Sequence, residues 1–559
     1  MSAVHAVADL VLTNGRIYTV DPARSSAEAL AVRNGRIIAV GTDADVRPHI
    51  GPETRVVDLG GRLAMPGIVD IHTHMMMGGQ ADLFELRFGN TLRREAILDQ
   101  VLAAAETTPE GKWIIGAQWG SDLLALFNSE ESLALLDAAS LGRPVMLRDD
   151  TYHNRWVNTA ALRLAGITED TPDPDQGSFG RDPSSGRLTG IMIEAAAGLI
   201  ERTIVASGHY TEDMDRAAVA HSIATLNQHG VTAFLDAAAM QPVLAALKGL
   251  DDRGLLTAWA SGAMPVTEPS FLFGVAGEEL FALRDTFRSR HVRPDFTKIF
   301  LDGVPGARTA AFHEPYTPDA VFGCCFRGTT LATVPELVRW IGRCEELGLS
   351  VKIHCAGDAA VTMALDALDV VRSFNGPTRL THHIAHASYI RDADISRFRE
   401  LGMGADLSPF IWFPTAFLEG HKQTMGVERA TRFWPNRDLL DAGALMAGGS
   451  DWPVIPNPNP WTGIEGLVTR QNPHGDFPGE SLWPEQALDI ATVLEIFTIN
   501  SARMMGLADV VGSLEIGKSA DIIVLDQDVL TCPAGAIGKT RVLQTWFEGR
   551  LVHGAEGLA

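Results

Sequence analysis

Cysteine is scarce in this chain: five residues, at 324, 325, 344, 355 and 532, among 559, with no CxxC spacing. That excludes a disulfide framework and fits a reducing compartment. Basic residues are also in deficit, 46 Lys+Arg against 69 Asp+Glu, for a formal net charge of −23. A surface of that sign repels nucleic acid and anionic lipid, so neither is an expected partner. No apolar run reaches the roughly 20 residues of a membrane span. The opening MSAVHAVADLVLTNGRIYTVD has no basic n-region, and Asp9 interrupts its apolar stretch, which predicts no signal peptide. What remains is ordinary globular composition, 46% hydrophobic and 21% charged, at a length that calls for more than one structural unit. The expectation is a soluble, cytoplasmic protein.

Residues 1–66 read as β-hairpins. Asn14-Gly15 and Asn34-Gly35 each separate two alternating apolar runs, and a further strand pair is expected around Gly60-Gly61. The last segment, 506–559, has the same vocabulary, with ADIIVLD at 520–526 and a turn at Glu548-Gly549. Neither end is long enough to bury a good core alone. Either they assemble into one small β-sandwich, which is the reading adopted, or they form two unrelated lobes.

The stretch 67–505 has another rhythm, of helix pattern, glycine and short apolar strand. Eight such strands are read at 67–74, 229–238, 256–264, 296–303, 347–357, 379–388, 401–409 and 442–451. Continuous apolar strands alternating with helices predict a parallel sheet covered on both faces, and eight of them predict a closed α/β (β/α)8 TIM barrel. No GxGxxG follows the first strand, which disfavours a dinucleotide fold. The separation of the first two strands, about 78–230, far exceeds a normal βα loop and predicts an insertion over the barrel mouth.

Strand ends carry the chemistry. His72 and His74 in DIHTH alternate on one strand, so both rings can face inward and share a metal. Three further strand ends carry an imidazole or carboxylate: His354 in VKIHCAG, His386 in HHIAHAS and Asp451 in AGGSDWP. Ends of this kind converge in a barrel although far apart in sequence. Lys298, in FTKIFLDG, stands where an unpaired charge is costly. It either reaches the rim or an ion pair with Asp302, or is carbamylated by CO2 into a carboxylate bridging two metals.

With these residues in place, the sequence resembles the amidohydrolase superfamily, and within it amidohydrolase family 3, the YtcJ-like branch. The resemblance rests on MPGIVDIHTH (65–74), HNRWVNTAAL (153–162), GIMIEAA (190–196), KIFLDGVPGARTAA (298–311), KIHCAGDAAV (352–361), IAHASYI (384–390) and GGSDWPV (448–454), with GSLEIGKSADIIVLD (512–526) returning into the sandwich. It implies a metal-dependent hydrolase of non-peptide C–N bonds, similar to N-substituted formamide deformylases and acting on a small molecule. His72 and His74 look like ligands of the more buried metal, Lys298 like the carbamylated bridge, His354 and His386 like ligands of the second metal, and Asp451 like the last-strand aspartate. His382 and His383 are read as structural or as supporting the ligands from behind. The family's Glu-His-Ala-Gln element is Ala385-His386-Ala387-Ser388 here, so a carboxylate beside the site is missing. The implied cofactor is two zinc ions per chain, with manganese, iron, cobalt or nickel suiting the same ligands. A divalent pair activates water and polarises a carbonyl, while Asp451 moves the water's proton to the leaving amine.

Several residues keep two readings. His153 either joins the site, as the resemblance implies, or is a solvated loop histidine. Met75, with Met76 and Met77, either packs the barrel top or forms a flexible pocket wall. Glu194 either starts a helix or lines the pocket. Trp119, Phe410 and Trp412 either shape an apolar cleft or belong to the core. A homodimer is the expected assembly for an enzyme of this size. Alternatives to the amidase are a mononuclear deaminase of a cyclic substrate, a lactone or carbamate hydrolase, and a non-catalytic barrel.

Overall fold

The computed structural model describes residues 6–175, 177–269 and 272–555; Met1–His5, the start of the segment read for a signal peptide, lie outside them. Eight parallel strands follow one another in chain order around a single sheet: β1 (Ile68–Thr73), β2 (Val231–Asp236), β3 (Trp259–Pro265), β4 (Val292–Phe300), β5 (Ser350–Cys355), β6 (His382–His386), β7 (Met403–Asp406) and β8 (Met446–Ala447). Each falls within or across one of the eight apolar runs read from the sequence. The seam closes just beyond β8. Ile71 N donates to Gly448 O (3.1 Å), Asp451 N to His72 O (2.7 Å) and His74 N to Trp452 O (2.8 Å). Gly449 permits that approach, because a Cβ there would lie 2.6 Å from His72 Cβ. The glycine pair of AGGSD thus brings Asp451 against the first strand's histidines.

Helices cover the outside of the barrel. Val334–Glu346 is typical: Thr333 and Glu336 form a capping box at its start, and Leu337, Ile341 and Cys344 at i, i+4 and i+7 make its buried stripe. That stripe shares one core with Val351 and Ile353 of β5. No described helix is long and apolar enough to cross a membrane.

Both chain ends contribute to a two-sheet sandwich. Met65 and Ala64 pair antiparallel with Ile523 and Val524, joining the two ends in one six-stranded sheet. Leu12, Leu30, Ile522, Val524 and Trp546 then share one buried core with the four-stranded sheet. Burial of each such side chain contributes about 1.5–3 kcal/mol, so neither end can be removed without exposing the other's core. Two hairpins expected from the sequence are present. Asn34-Gly35 and Glu548-Gly549 have positive φ at both positions (51° and 74°, 48° and 71°) and join paired strands.

The other two expected turns need correction. Leu10–Thr13 pairs with Ala29–Arg33 and Arg55–Asp58, whereas Arg16–Tyr18 pairs in the opposite sheet. Asn14-Gly15 is therefore a crossing between sheets. Gly60-Gly61 makes the same crossing between Arg55–Asp58 and Leu63–Pro66. Tight positive-φ turns suit either geometry, and the local signal does not say which strand is the partner.

The insertion after β1 has its own six-stranded sheet, from Leu86–Arg87 to Leu188–Glu194. Helix Glu212–Gln228, inside the span first assigned to the insertion, instead packs Val219, Ile223 and Leu226 into the barrel core. The insertion's loop 150–153 reaches the barrel mouth. It is held from behind by the buried Glu201 carboxylate, which accepts from Arg148 Nε (3.1 Å) and Arg155 Nε (2.8 Å), while Arg155 Nη1 donates to Tyr152 O (2.8 Å).

Candidate metal centre

Beneath the mouth, β1, β5 and β7 meet in a buried chain of polar groups. Lys352 Nζ donates to Asp406 Oδ2 (2.5 Å) and to Ile71 O (3.1 Å). The same carboxylate oxygen accepts from His72 Nδ1 (2.7 Å). This fixes the His72 tautomer and leaves its Nε2 buried with no hydrogen-bond partner. An orphaned imidazole nitrogen of this kind needs a ligand. Asp451 Oδ1 lies 3.4 Å from that nitrogen and 3.2 Å from His74 Nε2. One donor atom each of His72, His386 and Asp451 falls within 4.8 Å of the others.

The remaining histidines extend the cluster. The ring of His386 is 5.0 Å from that of His72 and 4.4 Å from that of His354, which is 5.8 Å from His153. His386 Nδ1 donates to Ser408 O (3.1 Å) and His354 Nε2 to Gly303 O (3.2 Å), so each keeps one nitrogen lone pair free. Burial first, and then neighbouring charge that includes Lys298, holds His72, His354 and His386 well below the usual imidazole range. All three are neutral at pH 7, the state a metal ligand requires. Neutral imidazoles, one carboxylate and an orphaned nitrogen fit a divalent cation.

Lys298 lines the same pocket, buried, with Nζ 4.9 Å from the centre of the Phe300 ring. Burial and then the charge of Lys352 push its amine down to about 8. Among the described residues no ion pair joins it to Asp302. That carboxylate accepts instead from the backbone N of Ala311 (3.0 Å), Ala356 (2.9 Å) and Gly357 (2.9 Å), organising the loops after β4 and β5.

His153 also faces the pocket, its Nδ1 donating to Glu194 (2.9 Å). Glu194 accepts in addition from Thr309 Oγ1 (2.6 Å). Burial opposes a charged His153, but the Glu194 charge and hydrogen bond outweigh it, and its pKa is raised. Glu194 thus positions His153, a role its sequence context did not reveal. Glu194→Gln is expected to lower the His153 pKa, so the protonated ring is lost at lower pH. The basic limb of the kcat/KM profile moves down accordingly, and a profile that superimposes on wild type contradicts this pairing.

Several site residues sit in strained backbone: Tyr152, Glu194, His386, Ala387 and Asp451 all have φ between 46° and 72°. Non-glycine residues persist there only where the surroundings impose it, and they cluster at functional sites. At Ala385-His386-Ala387, Trp434 Nε1 donates to His386 O (2.7 Å) and so holds the turn.

Trp119 and Met75, offered as substrate-binding residues, need correction, and Phe410 and Trp412 take the core alternative. Trp119 is fully buried in the insertion, against Phe127, with Nε1 donating to Leu147 O (3.0 Å), and does not reach the pocket. The Met75 side chain packs into the barrel core and its backbone N donates to Asp236; Met77 lines the pocket instead. Phe410 and Trp412 are core residues, and their neighbours Pro409 and Ile411 face the cavity. Lys352, Asp406, Asp70 and Asp236 went unmarked. The rule that singled out Lys298, a charge in an apolar strand, applies equally to Lys352 and Asp406.

The pocket over the imidazoles is about 100 Å³, walled by Met77, Tyr152, Phe300, Ile411, Phe433 and Trp434 among others. The amidohydrolase family model matches residues 55–553. The chain belongs to the amidohydrolase family. It is 30% identical to Protein LONG AFTER FAR-RED 3 of Arabidopsis thaliana, over 93% of this chain and 87% of that protein. It is 29% identical to N-substituted formamide deformylase of Arthrobacter pascens, over 98% of this chain and 99% of that enzyme. Among solved structures, a metal-dependent hydrolase from Pyrococcus horikoshii superposes with a TM-score of 0.72 at 25% identity, over 94% and 99% of the two chains. This amidohydrolase is accordingly a metal-dependent hydrolase of carbon–nitrogen bonds.

Proposed function

We propose that this amidohydrolase cleaves the C–N bond of a small N-acyl compound, foremost an N-substituted formamide with an apolar substituent. The observation that carries the reading is one pocket lined both by Asp451 with the buried imidazoles of His72, His354 and His386 and by the apolar side chains of Phe300, Ile411 and Phe433. A formyl group is small enough to sit at the imidazoles while the nitrogen substituent packs on the apolar side chains. The formamide deformylase relative, similar over nearly its whole length, supports the same chemistry.

His72, His74, His354, His386, Asp451 and Lys298, the last as its carbamate, would hold divalent cations, two per chain and zinc foremost. The neutral Lys298 amine adds CO2 and gives up one proton to become that carboxylate. Cations bound there supply an acidified water and a polarised carbonyl. Asp451 accepts the proton of the attacking water and returns it to the leaving nitrogen. Protonated His153, held by Glu194, donates to the carbonyl oxygen as its charge grows. The apolar wall excludes bulk water around these transfers.

The compact trio of His72, His386 and Asp451 favours a second reading, a single metal with Lys298 unmodified, suited to deamination of a cyclic substrate. Zinc-loaded protein offered N-substituted formamides, lactones, carbamates and cyclic amidines separates these. Formate and amine released in equal amounts is the expected result. Ammonia from the cyclic compounds, with no turnover of any formamide, overturns the first reading.

A further inference from the structure

Cys324 and Cys325 are consecutive and both exposed, with their Sγ atoms 3.2 Å apart. Cys344 and Cys355 are buried and Cys532 is half-buried. Nothing in the proposed hydrolysis uses the adjacent pair. It lies on the long connection between β4 and helix Val334–Glu346, at the catalytic end of the barrel, and the same connection carries Val304 and Pro305 into the metal pocket.

The pair is presented on a closed turn. Asp319 and Gly323 exchange backbone hydrogen bonds (3.3 and 3.1 Å), with Gly323 at φ 70°. Phe322 and Phe326, on either side of the two cysteines, stack with centroids 4.5 Å apart. Arg308 anchors the turn to the pocket side, pairing through Nε with Asp319 Oδ2 (3.0 Å) and donating through Nη1 to Thr317 O (2.7 Å). Two thiols are thus held side by side, open to solvent, on a turn tied to a pocket wall.

Neighbouring Cα atoms are about 3.8 Å apart, below the roughly 4.4–6.8 Å usual for a disulfide. A bond between adjacent cysteines is therefore strained and readily reduced, a property of labile rather than structural disulfides. In a reducing compartment the pair rests as a dithiol and oxidises transiently.

We propose that Cys324 and Cys325 are a reversible oxidation site, forming a vicinal disulfide by exchange with low-molecular-weight disulfides. One thiolate attacks a sulfur of glutathione disulfide, forming a mixed disulfide and expelling a first glutathione thiolate. The neighbouring thiolate attacks the protein sulfur of that mixed disulfide, forming the Cys324–Cys325 bond and expelling a second. The two cysteine protons end on the two glutathiones, and the two electrons lost by the protein reduce the glutathione disulfide.

The full chain, metal-loaded, is treated with glutathione disulfide, acid-quenched, alkylated and digested for mass spectrometry. The peptide holding both cysteines is expected to lose two hydrogens without retaining glutathione, and dithiothreitol should restore both thiols. Cys324→Ser and Cys325→Ser should each stop at a glutathione adduct, because the resolving thiol is missing. Both positions are exposed, so neither change threatens the core. A wild-type peptide that stops at a stable adduct, or stays unmodified while Cys532 reacts, overturns the proposal.

Discussion

Lys298→Ala is expected to lose metal and essentially all activity together, with partial recovery of both when formate, acetate or propionate is supplied. Lys298 is buried beside His72 and His354 and contributes to the lowered pKa of both. A free ammonium there would repel a cation; as a carbamate the same side chain attracts it. Removing a residue that supports a metal site commonly costs about 10–100-fold in affinity, and loss of the proposed carbamate ligand should exceed that. A small carboxylate entering the vacated space replaces the missing oxygens. Lys298→Met fills nearly the same volume and separates packing from charge: it should stay folded and inactive, and carboxylates should not rescue it. Full activity of Lys298→Ala without any added carboxylate would sink the bridge.

The second large effect is expected at Asp451. Its carboxylate approaches His72 and His74 within 3.4 and 3.2 Å, and its φ of 57° lies in the left-handed region. Asparagine tolerates that backbone better than alanine does, so Asp451→Asn is the cleaner probe. Loss of the proton carrier should lower kcat by roughly 10²–10⁴-fold. Activity alone does not separate proton transfer from metal binding, because the proposed mechanism assigns both to one carboxylate. Metal content measured on the same preparation does. Retained metal with a collapsed kcat assigns the proton role, whereas loss of metal assigns the ligand role. Activity within a few-fold of wild type contradicts both.

Much of the barrel was legible because its signal is local and repeated. All eight strands announce themselves as apolar runs ending in glycine or a polar residue, and the histidines at β1, β5 and β6 stand at those ends. Pairing in the sandwich was less legible. Asn14-Gly15 and Asn34-Gly35 look alike in sequence, yet one crosses between sheets and the other closes a hairpin. The difference lies in where distant strands dock. At the site, His72, His74, Lys298, His354 and His386 line the pocket from on or just past barrel strands, whereas His153 reaches it from a loop of the insertion. Trp119 and Met75 failed because residue type alone does not tell a pocket wall from a core. Glu194 kept two readings, a helix start or a pocket residue, and neither made it the partner of His153, since 41 residues separate them and the antiparallel pairing of Asn154 with Ile193 brings them together. The Lys352–Asp406–His72 chain was missed for the same reason: three strands supply it, and no single segment contains it.

Metal stoichiometry of the intact protein, produced with bicarbonate and supplied with zinc, tests the proposed centre most directly. Native mass spectrometry paired with elemental analysis should find close to two metals per chain, together with the added mass of one CO2 that disappears on acidification. One metal per chain without the CO2 would contradict the Lys298 bridge and favour the single-metal deaminase. No metal after loading would contradict the reading of the imidazole cluster itself.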